Sequence, residues 1–189
     1  MSNAGARYRQ VNLGGSLSAT VTRRPDGTQI IESTEALGPY PERLTDRLEY
    51  WAREAPDRTF VARRDHGGDW IRISYGQMLA RARIVGQALV QRGLSVERPV
   101  VVLSDNDLEH LTLAFGAMWA GIPYAPVSPA YSLISQDYAK LRHILGIATP
   151  GLIFASGPAY GRAIQAVVGN DVEVVLAEGD VVRSLHLPP

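Results

Sequence analysis

The chain has no cysteine, which excludes disulfides, thiolate metal sites and cysteine nucleophiles. A reducing environment fits that composition, and a cytoplasmic location is the expectation. Lysine is almost missing as well: Lys140 stands alone, and the remaining basic residues are arginines. Chemistry that needs a lysine amine must use Lys140 or lie outside these 189 residues. Neither sign of charge prevails, with 19 basic against 19 acidic residues, so no broad positive field gathers nucleic acid or an anionic membrane. No run of about 18 apolar residues occurs without a charge, and Met1 to Arg7 lacks the apolar core of a secretion signal. A membrane span is therefore not expected.

Phosphate-binding signatures are missing too. There is no Gly-x-Gly-x-x-Gly, and Lys140 is followed by Leu141 and Arg142, so no Gly-Lys-Ser/Thr cradle exists. No serine sits in a Gly-x-Ser-x-Gly elbow, which argues against a hydrolase even though Ser104, Asp105 and His110 supply the residue types of a triad. His66 has no second His, Asp or Glu at metal-ligand spacing beside it and reads as a turn residue.

What is present is enough apolar material for a core. The composition is 46% hydrophobic over 189 residues, a length at which folding buries about 70% of the extended chain's surface. Leu17 to Glu32 reads as two strand-like runs around Pro25-Asp26-Gly27, a turn in which proline presets φ and glycine accepts a positive one. Leu44, Leu48, Trp51, Ala52 and Ala55 recur at helical spacing between Pro41 and Pro56. Thr59 to Ala62 and Trp70 to Ile73 flank Asp65 to Asp69 as a second hairpin. Ser74 and Gln77 have capping-box spacing and open a helix buried through Met78, Leu79, Ala82, Val85, Gly86 and Leu89. Arg81, Arg83, Gln87 and Arg92 fall off that stripe and read as a solvated face.

From Pro99 the pattern becomes alternating strand and helix. Strands are expected at Pro99 to Leu103, Tyr124 to Val127, Gly151 to Ala155 and Val172 to Leu176. Helices are expected at Leu108 to Trp119, Tyr138 to Leu145 and near Ala159 to Val168. Continuous runs such as Val100 to Val102 suit strands covered by helices, so the fold class is α/β with a right-handed parallel sheet, flanking helices and N-terminal hairpins.

In such a sheet ligands bind outside the carboxyl ends of the strands. Ser104, Asp105 and Asn106 leave one strand there, and His110 lies in the first turn of the next helix. Asn106 followed by Glu109 also has capping-box spacing, and that local reading outweighs a ligand-binding one. Ser128 leaves the following strand on the same edge, so the two loops are expected to frame a crevice. Tyr124 and Tyr131 can offer flat faces and hydroxyls to an aromatic or acyl substrate, although tyrosines bracketed by prolines more often pack a loop. These seven residues are the candidate pocket edge; no catalytic, cofactor or metal residue is assigned.

The run Asp105 to Tyr131 resembles the N-terminal part of the AMP-forming acid–CoA ligases of the adenylate-forming superfamily. The segments Gly38 to Arg47, Trp51 to Phe60, Val127 to Leu133 and Lys140 to His143 are most similar to feruloyl-CoA synthase. The resemblance implies a complete enzyme that joins a small carboxylic acid to coenzyme A through an acyl-adenylate, with ATP and magnesium. It implies also that the phosphate loop, the nucleotide motifs and the adenylation lysine come later in such enzymes, so none is carried onto these positions. The expectation is an N-terminal scaffold part, inactive alone and partnered by the rest of its parent chain, with a hydroxycinnamate-type or fatty acid as the parent's substrate. A non-catalytic α/β binding module is the alternative.

The expected divisions are a flexible arm at 1–16, hairpins and first helix at 17–73, the parallel-sheet part at 74–176, and a truncated tail at 177–189. Apolar surface left uncovered by such a cut predicts self-association.

Overall fold

A computed structural model of the chain describes residues 18–169, 171–178 and 181–185. The arm expected at 1–16 and the last residues of the tail, 186–189, lie outside them. The chain divides into two compact units, with the boundary between Pro41 and Glu42. The first holds a hairpin of β1 (Ala19–Arg23) and β2 (Gln29–Ser33), in register through Val21 and Ile31. Its turn is closed by the Asp26 carboxylate, which accepts from the Thr28 amide at 2.9 Å.

The second unit opens with α1 (Leu44–Glu54), then an antiparallel pair, β3 (Thr59–Arg64) and β4 (Trp70–Ser74). The expected stripe of α1 is displaced. Thr45 and Leu48 are its buried residues, whereas Leu44 is 64% exposed and Trp51 lies against Tyr75 at a ring separation of 6.1 Å. Helix α2 (Tyr75–Gln91) begins on a reciprocal cap: the Ser74 amide donates to Gln77 Oε1 at 2.9 Å and the Gln77 amide to Ser74 Oγ at 3.3 Å. Two otherwise orphaned helix-end donors are satisfied locally, which is why this start is readable from four residues.

The main sheet consists of β5 (Val100–Leu103), β6 (Tyr124–Val127), β7 (Leu152–Ala155), β8 (Glu173–Glu178) and β9 (Val181–Leu185), in the order β6-β5-β7-β8-β9. The first four are parallel; β9 returns antiparallel to β8. The stretch read as a tail therefore adds an edge strand, pairing Leu176 with Arg183 in register. Between the strands run α3 (Leu108–Ala120), a short α4 (Ala130–Leu133) in the segment expected as a loop, α5 (Ala139–Ala148), and a 3₁₀ turn, Pro158–Tyr160, leading into α6 (Gly161–Val167).

Successive strand residues point to opposite faces, and the burial follows that rule without exception in β5. Val101 and Leu103 join Ile153, Ala155, Val174 and Leu176 in a core closed by Leu141, Tyr160, Ala163 and Ile164. Val100 and Val102 join Leu152, Phe154 and Val175 against Leu89, Leu113 and Ala117. A third cluster ties α1 and β4 to α2 and α3 through Leu48, Ile73, Met78, Leu108 and Phe115. Helices α2 and α3 meet at Gly86 and Gly116, where a Cβ on Gly116 would stand 2.5 Å from Val85 Cγ1. Among the described residues, no helix is long and apolar enough to cross a membrane.

Candidate functional site

The strand order reverses direction between β5 and β7. From β5 the chain moves outward to β6, then returns past β5 to β7. That switch point is where a parallel sheet opens a crevice at its carboxyl edge. Here the edge is filled by the protein's own polar groups.

Ser104, 5% exposed, follows β5, and its hydroxyl lies 2.6 Å from the Asp105 carbonyl and 2.8 Å from Asp107 Oδ2. Asp107, not Asn106, caps α3: its Oδ1 accepts from the His110 amide. Asn106 is exposed, and the expected Asn106–Glu109 box does not form. The physical reason is that Asp107 satisfies the helix end and buried Ser104 at once, with one oxygen for each. His110 Nδ1 stands 3.1 Å from the Asp105 carbonyl, a contact that requires the proton on Nδ1.

Two residues missed by sequence reasoning complete this network. The Ser156 amide, one position past β7, donates to the Leu103 carbonyl at 3.2 Å and extends the β5–β7 ladder beyond its last strand residue. Tyr160, 4% exposed, packs beneath it. Burial pushes the Tyr160 hydroxyl above the usual tyrosine range, and the nearby Asp105 and Asp107 carboxylates push the same way, against hydrogen bonds from Ser156 and the Asp105 backbone. The available signal was Gly157-Pro158, a turn that had to return the chain across the end of a strand.

The remaining candidates are dispersed. Tyr124 pairs in register with Val100, at the amino end of β6, and so does not belong to the carboxyl edge. It shares a concavity of about 280 Å³ with Arg63, Asn106, His110 and Leu111. Ser128 is exposed at the carboxyl edge, and its carbonyl accepts the Tyr131 amide at 3.0 Å. Tyr131 turns instead to α5, where Lys140 Nζ lies 5.2 Å from its ring centre and His143 and Ile144 complete a separate hollow. The two loops leave the same edge, and Asn106 and Tyr131 line different concavities.

A concavity of about 660 Å³ lies elsewhere. Leu152, Phe154 and Val175 form its floor; Val85, Ala88, Leu89 and Leu113 form its walls, with Arg81 and Arg92 on the α2 side.

The doubly wound parallel sheet with this helix arrangement is the fold of the N-terminal domain of acyl-CoA synthetase-like enzymes. The chain belongs to the AMP-binding enzyme family, whose model matches residues 48–187. Phosphinothricin tripeptide synthetase PhsC of Streptomyces viridochromogenes is 28% identical over 137 residues, 72% of this chain and 11% of that protein. Luciferin 4-monooxygenase of Nipponoluciola cruciata is 29% identical over 110 residues, 57% of this chain and 19% of that protein. The chain therefore spans a fifth or less of the length of either relative. A fatty acyl-adenylate ligase from Legionella pneumophila, solved with acyl adenylate and pyrophosphate, shares the fold at a TM-score of 0.58 and 16% identity, over 72% of this chain and 23% of that one.

Members of this family are adenylate-forming enzymes that use ATP. Among the described residues no group of three or more His, Cys, Asp or Glu is placed to hold a metal ion, and Lys140 lies against the Tyr131 ring at the surface. No step through ATP is assigned to them.

Proposed function

We propose that this chain is the opening part of an ATP-dependent carboxylic acid–CoA ligase, a scaffold whose reacting groups lie in other parts of a longer polypeptide. In such a ligase the carboxylate displaces pyrophosphate from ATP to give an acyl-adenylate, and the coenzyme A thiol then displaces AMP. Magnesium accompanies the nucleotide. The substrate class is a hydroxycinnamate-type aromatic acid, with fatty acids second; support for the first comes from the feruloyl-CoA synthase-like segments Trp51 to Phe60 and Val127 to Leu133. The cytoplasm, where ATP and coenzyme A are plentiful, is the proposed location.

The observation that carries the reading is the family match over residues 48–187. The carboxyl edge supports it further, since Asp107 is spent on Ser104 and the His110 amide, and Tyr160 on Ser156 and the Asp105 backbone. Chain 1–189 is expected to release pyrophosphate from ATP only at background rate with ferulate or a fatty acid. The complete gene product is expected to release it with ferulate. Sustained, substrate-dependent release by 1–189 alone, or a natural stop codon after Pro189, overturns the reading. That stop codon is also what the second reading, a non-catalytic binding module using the 660 Å³ groove, requires.

A further inference from the structure

We propose that the cavity between β3 and the first turns of α3 binds a small uncharged amide, whose carbonyl oxygen accepts a hydrogen bond from Arg63 Nε. The cavity measures about 280 Å³, and Val61, Leu108, Leu111 and Ala114 give it apolar walls. At about 30 Å³ for each water-sized group, it holds about nine non-hydrogen atoms, the size of a benzene ring carrying one amide.

Arg63, on β3, supplies the donor. Its Nε is shut off from solvent and has no hydrogen-bond partner among the described residues. A buried donor without an acceptor is costly, and a charged one more so, which is why folded chains keep few of them. Glu109 on α3 stands 3.8 Å from Arg63 Nη2, beyond hydrogen-bond reach, and leaves Nε unserved. On the α3 side of the cavity, His110 carries its proton on Nδ1, toward the Asp105 carbonyl, so the neutral ring keeps Nε2 as an acceptor. An amide answers both groups: its carbonyl accepts from Arg63 Nε, and its N–H donates to His110 Nε2.

Charge decides against an ion. The guanidinium already faces Glu109, and Asp107, which also lines the cavity, keeps its negative charge while accepting from Ser104 and the His110 amide. A carboxylate or phosphate would enter beside two carboxylates with one guanidinium to offset them, and an ammonium group would meet Arg63. A peptide strand fits no better. Strand β6, which contributes Tyr124 to the cavity, ends the main sheet among the described residues, and Pro126 removes one ladder donor from it.

Benzamide is the probe, titrated into isotope-labelled chain 1–189 and followed by NMR at the arginine Nε–H resonances. The Arg63 resonance, assigned by its loss in Arg63→Lys, is expected to shift saturably. Benzoate carries a charge and methyl benzoate lacks the N–H, and each is expected to bind about tenfold more weakly than benzamide. Arg63→Lys keeps a cation opposite Glu109 but removes the Nε donor. Ligand-observed NMR is expected to show its affinity for benzamide reduced about tenfold or more, while Arg72→Lys, at an exposed position of β4, leaves the affinity unchanged. The comparison of the three probes on the parent chain needs no variant to fold. Absence of a saturable Arg63 shift up to the solubility limit of benzamide overturns the inference. So does benzoate or methyl benzoate binding as tightly as benzamide, or an Arg63→Lys protein of unchanged affinity.

Discussion

Gly116→Ala probes the joint on which the fold turns. A Cβ at 116 would sit 2.5 Å from Val85 Cγ1, 2.7 Å from Val85 Cβ and 3.2 Å from the Gly86 amide nitrogen. Val85 is β-branched and on a helix, so its χ1 has one strongly preferred state and cannot swing aside. The helices must move apart, and with them Leu89, Leu113 and Ala117, which close the core over Val100 and Val102. Overpacking of this kind costs about 2–3 kcal/mol. Alanine's better helix propensity returns about 1 kcal/mol. A net loss of about 1–2 kcal/mol lowers Tm by about 2–8 °C in a chain of this size. Urea unfolding followed by circular dichroism measures the loss. Two controls bracket it: Gly146→Ala on α5, where a Cβ meets nothing within 4 Å, is expected to gain about 0.5–1 kcal/mol. Val85→Ala in the Gly116→Ala background is expected to relieve the clash, visible as non-additivity in the double-mutant cycle. A Gly116→Ala protein as stable as the parent refutes the close-packing account.

Asp107→Ala removes both the α3 cap and the partner of buried Ser104, and is expected to cost about 1–3 kcal/mol in urea midpoint analysis. Asn106→Ala, at the exposed neighbour, should stay within about 0.5 kcal/mol, and the opposite ranking would return the cap to Asn106. Tyr160 supplies a pH dependence with a definite sign. Its folded pKa is raised above an unfolded value of about 10, so the native state holds that proton more tightly. Its contribution is intact below about pH 10 and is lost as pH rises through the folded pKa. Unfolding midpoints measured at pH 9 and pH 11 should fall more steeply in the parent than in Tyr160→Phe. Equal falls would show that the hydroxyl is not desolvated.

The elements legible in the sequence are those fixed by near neighbours. Strand β6, Tyr124–Val127, and the Ser74–Gln77 box emerged as read, because an apolar run between breakers and a three-residue cap need no distant partner. The cap of α3 was misplaced by one residue, since Asn106 and Asp107 are both good capping types and the choice fell to Ser104. Strand β9 is announced by Gly179-Asp180, a two-residue hairpin signal between two strand-like runs, and reading the stretch as a tail set that signal aside. The seven candidate residues were placed by assuming that consecutive strands line a common crevice. Strand order decides that, and it set Ser156 and Tyr160, about fifty residues on in the chain, beside Ser104 and Asp105.

The sequence by itself determined the class of the fold, the position of most elements and the ligase resemblance, because apolar periodicity, caps and turn residues act over a few positions. Tertiary structure decided which edge is filled and where Arg63, His110 and Tyr124 meet. Those depend on strand order and on helix layers closing over a sheet, and hydrogen bonds between residues far apart in the chain leave no local pattern to read.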